Sequence, residues 1–341
     1  MVQGSRLKAL VRDASFARLD ADVQKLVGGK LLLVEHTVAE KLKSPYVPLA
    51  EMGAYLAESR GKRLRPTLLL LVSKTLGYEG DADVVYAAVY EFIHTATLIH
   101  DDIVDEALLR RGRPSLNSRW GPERAVLMGD YVFITAMHVA VTLGWSGVQP
   151  VVADAALGLI RGELIQSHRK WDLTITPKEN LEIIHFKTAG LFAACARTPA
   201  FLVDAPREIH EALWDYGRFM GIAFQLVDDC LDFRSDEGTL GKPAGLDLKE
   251  GKVTLPLILM MENGTPRDRA FVEALVASRR FDPEILRELV DRVIESGMVD
   301  EAEAVARDYA AKAAKLCEML PKGPARDVLA RLPEFVIRRR F

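Results

Sequence analysis

The chain has 341 residues, 49% of them hydrophobic, and a formal net charge of -3. That composition can bury a substantial core, and it excludes the strong basic bias of a protein drawn to nucleic acid or acidic membrane. The three cysteines, Cys195, Cys230 and Cys317, are too few and too far apart for a disulfide framework or a zinc cage, and they suit a reducing cytoplasm.

The first twenty residues are charged throughout and lack the apolar run of a secretory leader. Beyond them, apolar residues recur at three- and four-residue spacing. This predicts helices over 20–43, 49–59, 66–77, 81–106, 121–143, 150–169, 178–201 and 207–234, then over 253–262, 267–278, 283–296, 299–320 and 324–336. The breaks between them carry joint residues: Pro45 and Pro48, Gly77, Gly112 to Pro114, Gly121-Pro122, Pro177, Gly264 to Pro266, Asp282-Pro283 and Gly323-Pro324. Pro66 is expected to open a helix, and Asp282 to cap one that starts at Pro283. No run alternates with period two for long enough to predict a sheet. No apolar run approaches the roughly 20 residues of a membrane span. No Gly-, Ser- or Pro-rich linker divides the chain, so a single all-α domain over 1–341 is expected, in a soluble cytoplasmic protein.

One pattern occurs twice. Asp101-Asp102-Ile103-Val104-Asp105 and Asp228-Asp229-Cys230-Leu231-Asp232 both read DDxxD, each at the end of a long apolar helix. Carboxylates at i, i+1 and i+4 crowd one side of a helix, where like charges repel and add nothing to packing. One copy is an ordinary solvated face. Two copies suggest banks of hard oxygen ligands that share Mg2+ across a cavity, with substrate phosphates completing the metal shell.

Basic segments answer them: Arg60 to Arg65, then Arg110-Arg111-Gly112-Arg113 just after the first bank. A loop from Gly241 to Lys252, containing Lys242, Lys249 and Lys252, follows the second. Arginine forks and lysines beside metal-bridged carboxylates match a phosphate ligand. The Gly28-Gly29-Lys30 triplet lacks the spacing of a phosphate loop and reads as structural. His94 and His100 lie near the first bank; His138, His168, His185 and His210 read as packing or surface residues.

Taken in order, GKRLRP (Gly61 to Pro66), EFIHTATLIHDDIVDEALLRRGRP (Glu91 to Pro114), Gly129-Asp130, Lys187-Thr188, FQLVDDCLD (Phe224 to Asp232) and GKPAGLDLKEGKVTLP (Gly241 to Pro256) resemble the trans-isoprenyl diphosphate synthase, or polyprenyl synthetase, family. The EFIHTATLIHDD segment is most like octaprenyl-type medium- and long-chain synthases. Arg60 stands where the family usually has the first of two glycines before Lys62.

The resemblance implies a bundle of antiparallel helices around a deep central cavity, the isoprenoid synthase type I fold, usually as a homodimer. It implies three Mg2+ held by Asp101, Asp105 and Asp228, with Asp102, Asp229 and Asp232 in support. Arg110, Lys187 and Lys252 would contact an allylic diphosphate (dimethylallyl, geranyl or farnesyl), and Lys242 would close over it. Lys62, Arg65, His94 and Arg111 would hold isopentenyl diphosphate. Thr188 and Gln225 would face the reacting carbons, and the tail Arg338-Arg339-Arg340 would fold over the isopentenyl site or stay free. The implied reaction is Mg-dependent head-to-tail condensation of the two diphosphates.

Product length would follow the depth of the apolar tunnel below the first bank. The residues five and four before Asp101 are the small Ala96 and Thr97, which puts the floor deeper, at Phe92, Ile93 or Met137. The expectation is an all-trans C30–C50 product for quinone side chains, with a C20 or farnesyl product as the rival. A class I terpene cyclase is disfavoured by the intact second DDxxD and the isopentenyl set, and a non-catalytic partner subunit by all six aspartates.

Overall fold

The computed structural model describes residues 14–58, 61–234 and 245–338. Helices dominate: α1 (Ala14–Lys41), α2 (Val47–Glu58), α3 (Leu64–Thr75), α4 (Ala82–Val104), α5 (Leu116–Trp120), α6 (Pro122–Thr142), α7 (Val148–His168) and α8 (Pro177–Ile184). A π-helical turn at His185–Ala189 leads into α9 (Gly190–Leu202) and α10 (Arg207–Arg234). Then come α11 (Leu246–Lys249), α12 (Leu255–Asn263), α13 (Pro266–Ser278), α14 (Pro283–Glu295), α15 (Met298–Leu316) and α16 (Pro324–Ile337).

The long predicted spans stand, with local differences. A two-stranded hairpin, β1 (Leu109–Arg110) and β2 (Arg113–Pro114), pairs Arg110 with Arg113. Its loop residues Arg111 and Gly112 have φ of 55° and 75°, the left-handed pair that a two-residue hairpin turn demands. The span predicted over 178–201 is broken by the π turn. Helix α3 begins two residues before Pro66, with Arg63 at its N-cap in the left-handed region (φ 54°), so Arg65 lies inside the first turn. Asp282 does precede Pro283 at the start of α14, but its side chain makes no capping bond.

Two apolar clusters form the core. One gathers α1, α3, α4, α6, α7, α9 and α16; the other gathers α8, α12, α13, α14 and α15. Helix α10 serves both, with Leu213, Tyr216 and Met220 in the first and Leu226, Cys230 and Phe233 in the second. Leu68 to Val72 of α3 are buried all round, which is the pattern of a central helix. Lys30 spans from α1 to the buried Asp83 at 2.7 Å and to the Gly80 carbonyl at 2.7 Å, the structural role expected of its triplet. Helix α6 is long and apolar enough by composition to cross a bilayer, against the expectation of no such segment. One side of it packs on α4 and α5, as a core helix does.

Candidate active site

The aspartate banks occupy the C-terminal ends of α4 and α10. A helix C-terminus carries partial negative charge, so carboxylates there are doubly disfavoured and a cation is doubly attracted. Asp101 and Asp228 line one cavity of about 480 Å³, together with Arg65, His94, Arg110, Arg111, Lys187, Thr188 and Gln225. Burial, with Glu163 and Asp105 nearby, pushes the Asp101 carboxyl up to about 6, although Lys187 and Lys252 oppose it. Buried carboxylate oxygens grouped in this way are hard donors of the kind that suit a divalent ion. Among the described residues no three acidic, His or Cys side chains form a ready cage, so a metal here would need phosphate or water to complete its shell.

The other aspartates of the two banks are each held by neighbouring side chains or amides. Asp102 is buried and accepts from Arg110 Nε at 2.8 Å and Nη2 at 2.5 Å. Asp105 pairs with Lys252 Nζ at 3.2 Å, and Lys252 also binds Glu250 at 2.6 Å. Although burial opposes it, these carboxylates hold the Lys252 ammonium above its usual range. Asp229 is buried and accepts from Gln225 Nε2 at 2.9 Å, while Thr188 Oγ1 donates to Gln225 Oε1 at 2.8 Å. Asp232 accepts from the Leu246 and Asp247 amides, each at 3.2 Å, which pins α11 to the bank. Burial pushes Asp229 to about 7 and Asp232 to about 6.

A smaller pocket of about 130 Å³ adjoins the main cavity and is lined by Lys62, Arg65, His94, Arg111 and Phe335. Arg65 stacks its guanidinium 4.6 Å from the Phe192 ring. Burial, and then Arg65 and Arg111, hold His94 well below the usual imidazole range, so it is a neutral hydrogen-bonding group. Arg63 lies in the same basic segment as Lys62 and Arg65. It is buried and paired with Glu91, with Glu35 at 3.7 Å, which anchors the left-handed turn that delivers Lys62 and Arg65. Gly129 of α6 leaves room for His100, since a Cβ there would come 2.3 Å from its ring.

Lys187 and Thr188 sit on the π turn. Lys187 Nζ lies 2.5 Å from Glu163 Oε2 and donates to Gln166 Oε1 at 2.6 Å. Neither α7 residue was singled out in the sequence, because nothing local ties them to a lysine more than twenty residues away. Lys242, Arg60 and the tail residues Arg339 and Arg340 lie outside the described residues; Arg338 pairs with Glu334 at 2.5 Å.

The apolar wall of the main cavity is Thr97, Leu98, Leu159, Ile160, Leu164, Leu191 and Phe224. Of the two positions expected to face it, Thr97 does. Ala96 turns into the core with Phe92 and Ile93, and Met137 also lies off the wall. The reason is helical phase: a residue four before Asp101 shares its face, and one five before is turned about 100° further round.

Comparison with known proteins places this geometry. The Polyprenyl synthetase family model matches residues 47–293. Octaprenyl diphosphate synthase of Escherichia coli is 36% identical over 93% of this chain and 98% of its own length. A short chain isoprenyl diphosphate synthase of Methanothermobacter thermautotrophicus is 37% identical over 85% of this chain and 90% of its own. A crystal structure of a polyprenyl synthase from Caulobacter crescentus, complexed with calcium and isoprenyl diphosphate, superposes with a TM-score of 0.89 at 36% identity. It covers 94% of this chain and 98% of that one.

Proposed function

The chain belongs to the polyprenyl synthetase family and is a prenyltransferase, and from that premise we propose how its cavity works and what it makes. It adds isopentenyl diphosphate head to tail to an allylic diphosphate (dimethylallyl, geranyl or farnesyl), repeatedly, to an all-trans C30–C50 product of the kind that becomes a quinone side chain. The observation that carries the reading is Asp101 and Asp228, from two different helices, on one cavity with a basic pocket at one side and an apolar wall below.

Asp101, Asp105 and Asp228, with Asp102, Asp229 and Asp232 in support, would hold three Mg2+, which would supply charge neutralisation for the leaving diphosphate. The calcium and isoprenyl diphosphate named with the Caulobacter crescentus structure support that role for the banks. Lys187, Arg110 and Lys252 hold the allylic diphosphate. Their charge stabilises the oxyanion as the C–O bond breaks towards an allylic cation. Lys62, Arg65, Arg111 and neutral His94 hold isopentenyl diphosphate at near-attack distance, so its alkene adds to that cation. Thr188 and Gln225, linked to each other and to Asp229, face the reacting carbons. The released diphosphate takes the proton that re-forms the double bond.

The outward sides of α6 and α7 support a homodimer. Leu127, Ile134 and Val141 on one, and Leu157, Ile160 and Leu164 on the other, are each more than half exposed. The bridging of both core clusters by α10 supports a single domain over 1–341. Free, buried Cys195, Cys230 and Cys317 support a reducing cytoplasmic setting.

The test is the product ladder from farnesyl diphosphate, labelled isopentenyl diphosphate and Mg2+ with the purified chain alone. Products of C30 or longer are expected. Termination at C20 would keep the reaction and favour the second reading, which the short-chain Methanothermobacter thermautotrophicus relative supports. No elongation by folded protein would overturn the proposal.

A further inference from the structure

Lys187 reaches the main cavity from the π turn, and α7 packs on that turn at backbone distance. A Cβ on Gly162 would stand 2.6 Å from the Lys187 amide nitrogen and 3.0 Å from its Cα. Only glycine allows that approach. The next residue along, Glu163, and Gln166 three further on lie on the same side of α7. They converge on the lysine ammonium, at 2.5 Å from the carboxylate oxygen and 2.6 Å from the amide oxygen. Glu163 also lines the cavity, where its charge bears on Asp101.

A carboxylate close to a metal bank repels the phosphate that the bank recruits. It is tolerated here because its charge is spent on Lys187. A lysine has a long flexible stem and a point charge, so a bracket of two acceptors converts it into a directed donor. We propose that Glu163 is a positioning residue for Lys187: with Gln166 it holds the ammonium at the cavity wall, and Gly162 sets the distance between α7 and the π turn. The inference rests on the prenyl-transfer reading, and assigns Glu163 to the allylic diphosphate half of the site.

The experiment is steady-state kinetics of the full chain with farnesyl diphosphate, isopentenyl diphosphate and Mg2+. It compares Glu163→Ala, Glu163→Gln, Lys187→Ala and the Glu163→Ala/Lys187→Ala pair, with thermal melting of each. Glu163→Ala is expected to lower kcat about tenfold and raise KM for farnesyl diphosphate, without changing KM for isopentenyl diphosphate or the Mg2+ requirement. Glu163→Gln keeps an acceptor oxygen and is expected to recover to within about threefold of the parent. The double variant is expected to be no worse than Lys187→Ala alone, the mark of a residue acting through its partner. Three results would each overturn the inference: parental kinetics for Glu163→Ala, additive losses in the pair, or equal impairment of the Ala and Gln variants with a raised Mg2+ requirement. The last would make Glu163 a metal carboxylate. An inactive parental protein would instead bring down the prenyl-transfer reading, and this inference with it.

Discussion

Burial raises the pKa of three aspartates in the two banks. Asp101 and Asp232 at about 6 and Asp229 at about 7 lie above the ordinary carboxylate value of about 3.9, so folding favours their protonated forms. Their contribution to stability is therefore full below that ordinary value and is lost as pH rises through about 6 to 7. A metal binds the ionised form and reverses the loss. Mg2+ is expected to raise the Tm more at pH 8 than at pH 5.5. Equal shifts at both would show that the carboxylates do not take up the ion. On the proposed reading, replacing Asp101 or Asp228 by Ala removes a metal ligand and a repulsive charge together. Turnover is expected to fall about 10²- to 10³-fold while the Tm holds or rises, a split readable from kinetics and melting on the same sample. On the cavity wall, Thr97→Phe is expected to shorten the product ladder. Ala96→Phe forces a ring into the packed core, and is expected to cost about 1–3 kcal/mol of stability. A shorter ladder from Ala96→Phe with an unchanged Tm would move the length determinant back to that position.

Regular helices with a clear apolar phase were legible from the sequence, and α10 appears at the residues its periodicity predicts, 207–234. What was not legible is the irregular backbone. Nothing in His185 to Ala189 announces a π turn, because the apolar phase runs through it. Gly221 of α10 faces Ala189, whose Cα would lie 2.6 Å from an added Cβ. Gly217 faces the Phe192 carbonyl of α9 at 2.4 Å and the Ala193 Cα at 2.6 Å in the same sense. Gly217→Ala is expected to cost about 1–3 kcal/mol, since the obstacle is backbone and cannot swing away. A Tm equal to the parent's would mean the helices separate freely there. The site divides the same way. Both DDxxD motifs and the basic segments were readable because their residues are neighbours in the chain. Arg63 with Glu91, and Lys187 with Glu163 and Gln166, are long-range pairs that only the packing of α3 on α4 and of α7 on the π turn creates.

At the scale of the molecule, α6 has two apolar sides, one against the core and one facing out. The outward side is why its composition passes for a membrane span, and a second copy of the chain covers it on the proposed dimer. Leu127→Lys is expected to yield monomer by light scattering with the helical spectrum retained; an unchanged mass would place the interface elsewhere. Ile160 and Leu164 of α7 belong both to the exposed apolar side of that helix and to the cavity wall. The growing hydrocarbon would therefore meet a wall whose rigidity depends on whether a neighbour stands behind it. Enzyme concentration then becomes a variable of product length. By mass action, dilution below the dissociation constant should shift the ladder towards shorter chains at fixed substrate, and crowding the enzyme should lengthen it.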